Sequence, residues 1–175
     1  MGQMPATRQD LLQRLRSLGI ESTTVDHTPL FTVEESRALR GNIPGAHTKN
    51  LFLKCKKGTL WLVVALEDAD INLKRLHTKI GSGRLSFGRA ELLQAVLGVS
   101  PGSVTPFSLI NDTERQVTVV LDEAMMHNDV LNFHPLENTA TTTIARDGLL
   151  TFIRDCGHEP RIIAVSEGKL GDAAG

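Results

Sequence analysis

The stretch LWLVVAL, Leu60 to Leu66, limits the fold more than any other part of the chain. Its seven apolar residues run without alternation. A strand of that kind is shielded on both faces, so layers must pack on both sides of a sheet. Just before it, Leu51, Leu53 and Cys55 alternate with Phe52, Lys54 and Lys56, a period-two strand pattern. Lys57-Gly58 marks a turn, and the two segments read as a hairpin. The first strand is entered through IPGAHTKN, Ile43 to Asn50. A turn signal, Pro44-Gly45, thus sets a polar cluster of His47, Thr48, Lys49 and Asn50 directly against a buried strand.

Leu11, Leu12, Leu15 and Leu18 share one face of a first helix that Gly19 stops. Thr32-Val-Glu-Glu35 reads as a capping box opening a short second helix that ends near Gly41. INLKRLHTKIG predicts a helix with Leu73, Leu76 and Ile80 inward, and RAELLQAVLG another, stopped by Gly98. SVTPFSLIND cannot be regular helix across Pro106, whose ring removes a donor and clashes with the preceding turn. RQVTVVLD, VLNFH and TATTTIA read as strands, with PLEN as a turn between the last two. GLLTFIRDCG is a helix with Leu149, Leu150 and Ile153 inward, and PRIIAV is a closing strand. Helices and hairpins mix without regular βαβ alternation, which favours the α+β class. The chain of 175 residues suits one domain, residues 1–165, followed by a small, polar, fraying tail, residues 166–175.

No run of ~18 apolar residues is present, so no membrane span is expected. The N-terminus lacks the apolar core of a signal peptide, and Gly2 lacks the downstream Ser or Thr of a myristoylation signal. Cys55 and Cys156 stand far apart and form no C-x-x-C pair, which fits a reducing cytoplasm. A formal net charge of -1, one Trp and no Tyr argue against general DNA binding or a stacking platform. Charge is nevertheless uneven. Lys74, Arg75, Lys79, Arg84 and Arg89 fall in a stretch with no acidic residue. That stretch is either a solvated face or a local phosphate contact.

Six His and two Cys invite a metal site, yet none forms a tight ligand pair, so no metal is expected. There is no P-loop, no G-x-G-x-x-G and no G-x-S-x-G elbow. Cys55 falls on the apolar face of a strand, where a small buried hydrophobe is the ordinary role. Lys49 and Asn50 enter a strand from a turn, where a lysine is more often surface than functional. His134 ends an apolar strand before Pro135, usually a structural position. PGSVTP offers free backbone N–H groups for an oxygen or phosphate, or is an ordinary connection. Singly, none of these decides a function.

Together they do. PGAHTKNLFLK, LGVSPGSVTPF, LINDTERQVTVVLD, NFHPLENTATTTI and GHEP, in this order, resemble the YbaK/ProX family of aminoacyl-tRNA deacylases. The likeness is strongest to its freestanding prolyl-tRNA editing proteins of the ProXp-ala (PrdX) type and runs from about Leu11 to Val165. The resemblance implies one α+β domain on a curved mixed β-sheet flanked by helices. It implies hydrolysis of a mis-attached amino acid from the 3′ end of transfer RNA, without a cofactor. It places the essential lysine at Lys49, with Asn50 beside it, the adenosine-side loop at Gly102, Ser103 and Val104, and the pocket histidine at His134. Leu39, Ile43 and His47 would border the amino-acid pocket, and Lys74, Arg75, Lys79, Arg84 and Arg89 could meet the acceptor stem.

A pocket shaped for proline rejects alanine weakly, because missing methylenes cost only ~1–3 kcal/mol. A second, smaller site can hydrolyse alanine and exclude proline, so alanyl-tRNA(Pro) is the expected substrate. Cysteinyl-tRNA(Pro) is the nearest alternative. A non-catalytic nucleic-acid-binding module and a regulator of proline metabolism are the others. Prolyl-tRNA synthetase is an expected partner. Cys55 departs from the polar or acidic residue expected there, and would be oxidation-sensitive if exposed.

Overall fold

A computed structural model describes residues 4–28 and 43–167. The capping box at Thr32–Glu35, the second helix and Leu39 lie outside them. In chain order the elements are α1 (Arg8–Ser17), β1 (Ser22–Asp26), β2 (Ala46–Cys55), β3 (Leu60–Leu66) and α2 (Leu73–Ile80). Next come β4 (Leu85–Phe87), α3 (Ala90–Leu97), β5 (Val117–Asp122), β6 (Val130–Phe133), β7 (Ala140–Ala145), α4 (Arg146–Asp155) and β8 (Arg161–Ile163). The eight strands form one mixed sheet in the order β1-β7-β6-β2-β3-β5-β8, with β4 attached to β2.

The unalternating β3 lies near the middle of that sheet. Leu60, Leu62 and Val64 point into the larger core with Leu15 of α1, Leu97 of α3 and Phe152 of α4. Trp61 and Val63 point the other way, against Leu76 and Ile80 of α2. Both faces are therefore covered, the layering that LWLVVAL demands. The larger core is keyed by Phe107, whose ring meets those of Phe133 and Phe152 edge to face, with centroids 5.7 and 5.5 Å away.

Pro106 excludes regular α-helix, as expected; Pro106–Asn111 instead forms a tighter 3₁₀ segment. Two strands escaped sequence reading. β1 is polar and mostly exposed, and β4 is three residues long; neither carries an apolar period to detect. The C-terminal boundary is also later than residue 165. Val165 is buried, the Val165 N–H donates to Asp122 Oδ1 at 2.9 Å, and the Glu167 N–H donates to the Asp70 carbonyl at 2.6 Å. Ser166 and Glu167 are thus fastened to the domain, and residues 168–175 lie outside the described residues. No described helix is long and apolar enough to cross a membrane.

Candidate active site

The polar cluster sits in a notch of the sheet. On one side β2 pairs antiparallel with β3 from Thr48 to Lys54. On the other side, parallel β6 covers only Ala46 and His47, and antiparallel β4 covers only Leu53 to Cys55. Among the described residues, the edge from Thr48 to Phe52 has no strand beside it. Lys49 and Asn50 lie in that gap and, by strand alternation, on opposite faces.

The turn before the gap is pinned from below. Asn132 of β6 is 2% exposed, and its Nδ2 donates to the carbonyls of Pro44 (2.9 Å) and Ala46 (3.3 Å). Its Oδ1 accepts from Thr143 Oγ1, and its carbonyl accepts from Thr48 Oγ1 at 2.7 Å. Gly45 is required there: its φ is +95°, and a Cβ would lie 2.8 Å from Val130 Cγ1. Asn132 was not among the expected site residues. Its signal was one polar residue in the middle of the apolar run VLNF.

Within the notch, the Lys49 ammonium donates to the Ala69 carbonyl, which fixes the head of the side chain. Asn50 Oδ1 is buried and accepts no hydrogen bond among the described residues. A buried amide oxygen without a donor costs on the order of 1–3 kcal/mol, so this acceptor has hydrogen-bonding capacity that the described residues do not use. His47 shares the Lys49 face and lines a cavity of about 600 Å³ with Gly45, Glu67, Ala69 and Asp70. Ile43 is buried just ahead of the turn.

His134 follows β6 directly. Its Nδ1 lies 3.0 Å from the Ala140 carbonyl, so Nδ1 carries the proton and Nε2 presents a lone pair. Burial pushes its pKa below the ordinary histidine value, and the nearby His27 pushes the same way. The two rings lie 6.4 Å apart. His27, which sequence reading passed over, is locked between the Thr28 carbonyl (2.7 Å) and Thr141 Oγ1 (2.8 Å). The parallel register sets His47 opposite Asn132, so Lys49 and His134 each lie two residues further on. They flank the same open edge.

Gly102 is brought to the segment after His134: a Cβ on Gly102 would sit 3.3 Å from Asn138 Nδ2. The expectation of a turn with free N–H groups needs one correction. The N–H of Ser103 turns inward to the Ser100 carbonyl at 2.9 Å and is not available. Ser103 is buried and Val104 packs on the core edge, while Gly102 is exposed.

The five basic residues divide. Lys79 Nζ lies 2.9 Å from Glu167 and Arg75 lies 3.5 Å from it, so these two clamp the C-terminal segment. Lys74, Arg84 and Arg89 make no ion pair among the described residues. Cys55 is 4% exposed, which removes the concern about oxidation. No group of three metal-ligating side chains occurs among the described residues.

The architecture is one already seen in solved structures. A crystal structure of a candidate trans-editing enzyme for prolyl tRNA synthetase matches with a TM-score of 0.67 at 19% identity, over 93% of this chain and 99% of that one. That likeness defines the fold. The aminoacyl-tRNA editing domain family matches residues 27–152, and the chain belongs to that family. It is an aminoacyl-tRNA deacylase, a hydrolase of the ester that joins an amino acid to transfer RNA. The prolyl-tRNA synthetase associated domain-containing protein 1 of Bos taurus is 40% identical over 161 residues, 89% of this chain and 94% of the relative. The prolyl-tRNA editing protein ProX of Acetoanaerobium sticklandii is 35% identical over 152 residues, 86% and 93% of the two chains.

Proposed function

We propose that this protein edits tRNA(Pro) in trans, with alanyl-tRNA(Pro) as its main substrate. The name of the relative from A. sticklandii supports the prolyl assignment. The open edge of β2 carries the chemical reading, because it presents a fixed cation, Lys49, on one face and an unused buried acceptor, Asn50 Oδ1, on the other.

The ester carbonyl sits in the notch. Lys49, held by the Ala69 carbonyl, and the Gly102 N–H stabilise the oxyanion as it develops. Asn50 Oδ1, turned to the other face of the same open edge, accepts from a substrate hydroxyl or amine that reaches through the gap. His134, neutral through burial, takes the water's proton on Nε2 and returns it to the departing ribose oxygen. A ribose hydroxyl of the substrate helps to orient the water. Lys49 acts by charge and position and forms no covalent intermediate. Ile43 and His47 shape the amino-acid side, and the loop of Gly102, Ser103 and Val104 lies toward the terminal adenosine. Free Cys55 and Cys156 fit a cytoplasmic setting, and the name of the bovine relative supports prolyl-tRNA synthetase as a partner.

The test is deacylation of alanyl-, cysteinyl- and prolyl-tRNA(Pro) by wild type and Lys49→Ala. Multiple turnover on the alanyl ester, sparing the prolyl one and lost in the variant, supports the reading. Preference for the cysteinyl ester moves the substrate and keeps the enzyme. Trapping an acyl-lysine or Schiff base overturns the role of Lys49.

A further inference from the structure

At the far end of β2 from the notch, a second cleft of about 870 Å³ opens along the edge formed with β4. Lys54, Lys56, Arg84 and Arg89 line it, against one carboxylate, Glu91. All four cations are exposed, and none makes an ion pair among the described residues. They differ in this from Arg75 and Lys79, whose charge Glu167 answers.

The cations are ordered rather than scattered. Lys54 lies opposite Ser86 in the β2–β4 ladder, and the Lys56 N–H donates to the Arg84 carbonyl at 3.0 Å. Lys54 lies on β2 and Lys56 opens the turn after it, two residues on, a backbone step of roughly 7 Å along the same cleft. That step suits successive phosphates along a nucleic-acid strand. Two further features favour an anionic guest. Arg89 caps α3 without any side-chain acceptor for the first helical N–H groups, so the positive helix end borders the same cleft. Phe87 is 62% exposed on the rim. A lone exposed aromatic means little, but beside four free cations it offers a face on which a base can stack.

We propose that this cleft is the docking surface for the transfer-RNA acceptor arm, and that Lys54, Lys56, Arg84, Arg89 and Phe87 hold it. The identity of the guest rests on the editing function proposed above. The placement agrees with it. Lys54 lies five residues beyond Lys49, about 17 Å along the strand or about five stacked nucleotides, and on the opposite face, so the acceptor end would cross the open edge of β2 between them. An ester held at Lys49 would bring the start of the paired stem to the cleft. This assigns stem contact to the β2–β4 edge and withdraws it from Arg75 and Lys79.

The experiment is binding of uncharged tRNA(Pro) as a function of salt, with wild type, the Lys54→Ala/Lys56→Ala/Arg84→Ala variant, a Lys54→Arg/Lys56→Arg variant, and Arg75→Ala/Lys79→Ala. Each lost phosphate contact lowers the salt slope by about 0.7–0.9, so the triple variant should lose about 2–3 of slope. Between about 50 and about 200 mM salt, that is on the order of a twentyfold difference in how far affinity falls. The arginine variant should keep the wild-type slope, which rules out misfolding as the cause. The ratio of kcat/KM on alanyl-tRNA(Pro) to that on 3′-O-alanyl-adenosine should fall in the triple variant. An unchanged slope in the triple variant, or a larger loss in Arg75→Ala/Lys79→Ala, overturns the assignment. If wild type hydrolyses neither ester but the slope still falls, the surface stands and the editing reading does not.

Discussion

Replacing Asn132 by Ala tests whether a buried amide holds the open edge proposed as the catalytic one. The side chain is 2% exposed and satisfies three groups: the carbonyls of Pro44 and Ala46 and the hydroxyl of Thr143. Alanine leaves all three without that partner. At about 1 kcal/mol for each bond lost, the variant should be roughly 3 kcal/mol less stable, a large share of a typical total of about 5–15 kcal/mol. For a chain of this size the midpoint should drop by roughly 6–12 °C. Urea unfolding should show a lower midpoint with an unchanged slope. Because Asn132 pins the turn that feeds Lys49 and Asn50, kcat should fall even where the variant is fully folded. Asn132→Asp gives the sharper test. It keeps the shape and the acceptor for Thr143 but turns a carboxylate oxygen toward two carbonyls. Its folded-state pKa is then raised, so the loss is complete above that raised value and recedes as pH falls through it toward the unfolded value of about 3.9. A loss under about 1 kcal/mol in Asn132→Ala, or an Asp variant as stable as wild type at neutral pH, would refute the argument.

Three further outcomes are expected. Burial holds His134 neutral below the ordinary histidine range, so the acid limb of kcat should lie below pH 6.5 and vanish in His134→Gln; a limb above that value contradicts the base assignment. Burial raises the Asp112 carboxyl, but the His158 hydrogen bond at 2.9 Å and the N–H groups of Gln116 and Val117 outweigh it and leave its pKa below the ordinary value. Asp112 therefore stabilises the fold above its unfolded pKa of about 3.9, and this is lost as pH falls through the folded value; acid unfolding followed by circular dichroism should show less pH dependence in Asp112→Asn. Gly45→Ala adds a Cβ 2.8 Å from Val130 Cγ1 at a φ of +95°, and should cost at least about 1–2 kcal/mol in urea unfolding.

Much of this protein is local and therefore legible along the chain. The apolar run at Leu60–Leu66 requires cover on both faces, and the leucine spacing of α1 and the stops at Gly19, Gly81 and Gly98 mark helices. Lys49, Asn50 and His134 taken singly have ordinary readings, and it is the resemblance carried by the ordered motifs around them that marks them as site residues. Tertiary structure decided what those residues meet. Parallel pairing of β2 with β6 joins segments far apart in sequence, and its early end leaves the open edge beside Lys49 and Asn50. No periodicity records where a strand partner stops. His27 and Asn132 became visible only as their partners closed around them. The basic stretch read as one run, yet pairing across the fold gave Arg75 and Lys79 to Glu167 and set Arg84 beside Lys54 and Lys56. Sequence determined which charges exist, because composition is covalent; the fold decided which remain free, because neutralisation depends on distance in space.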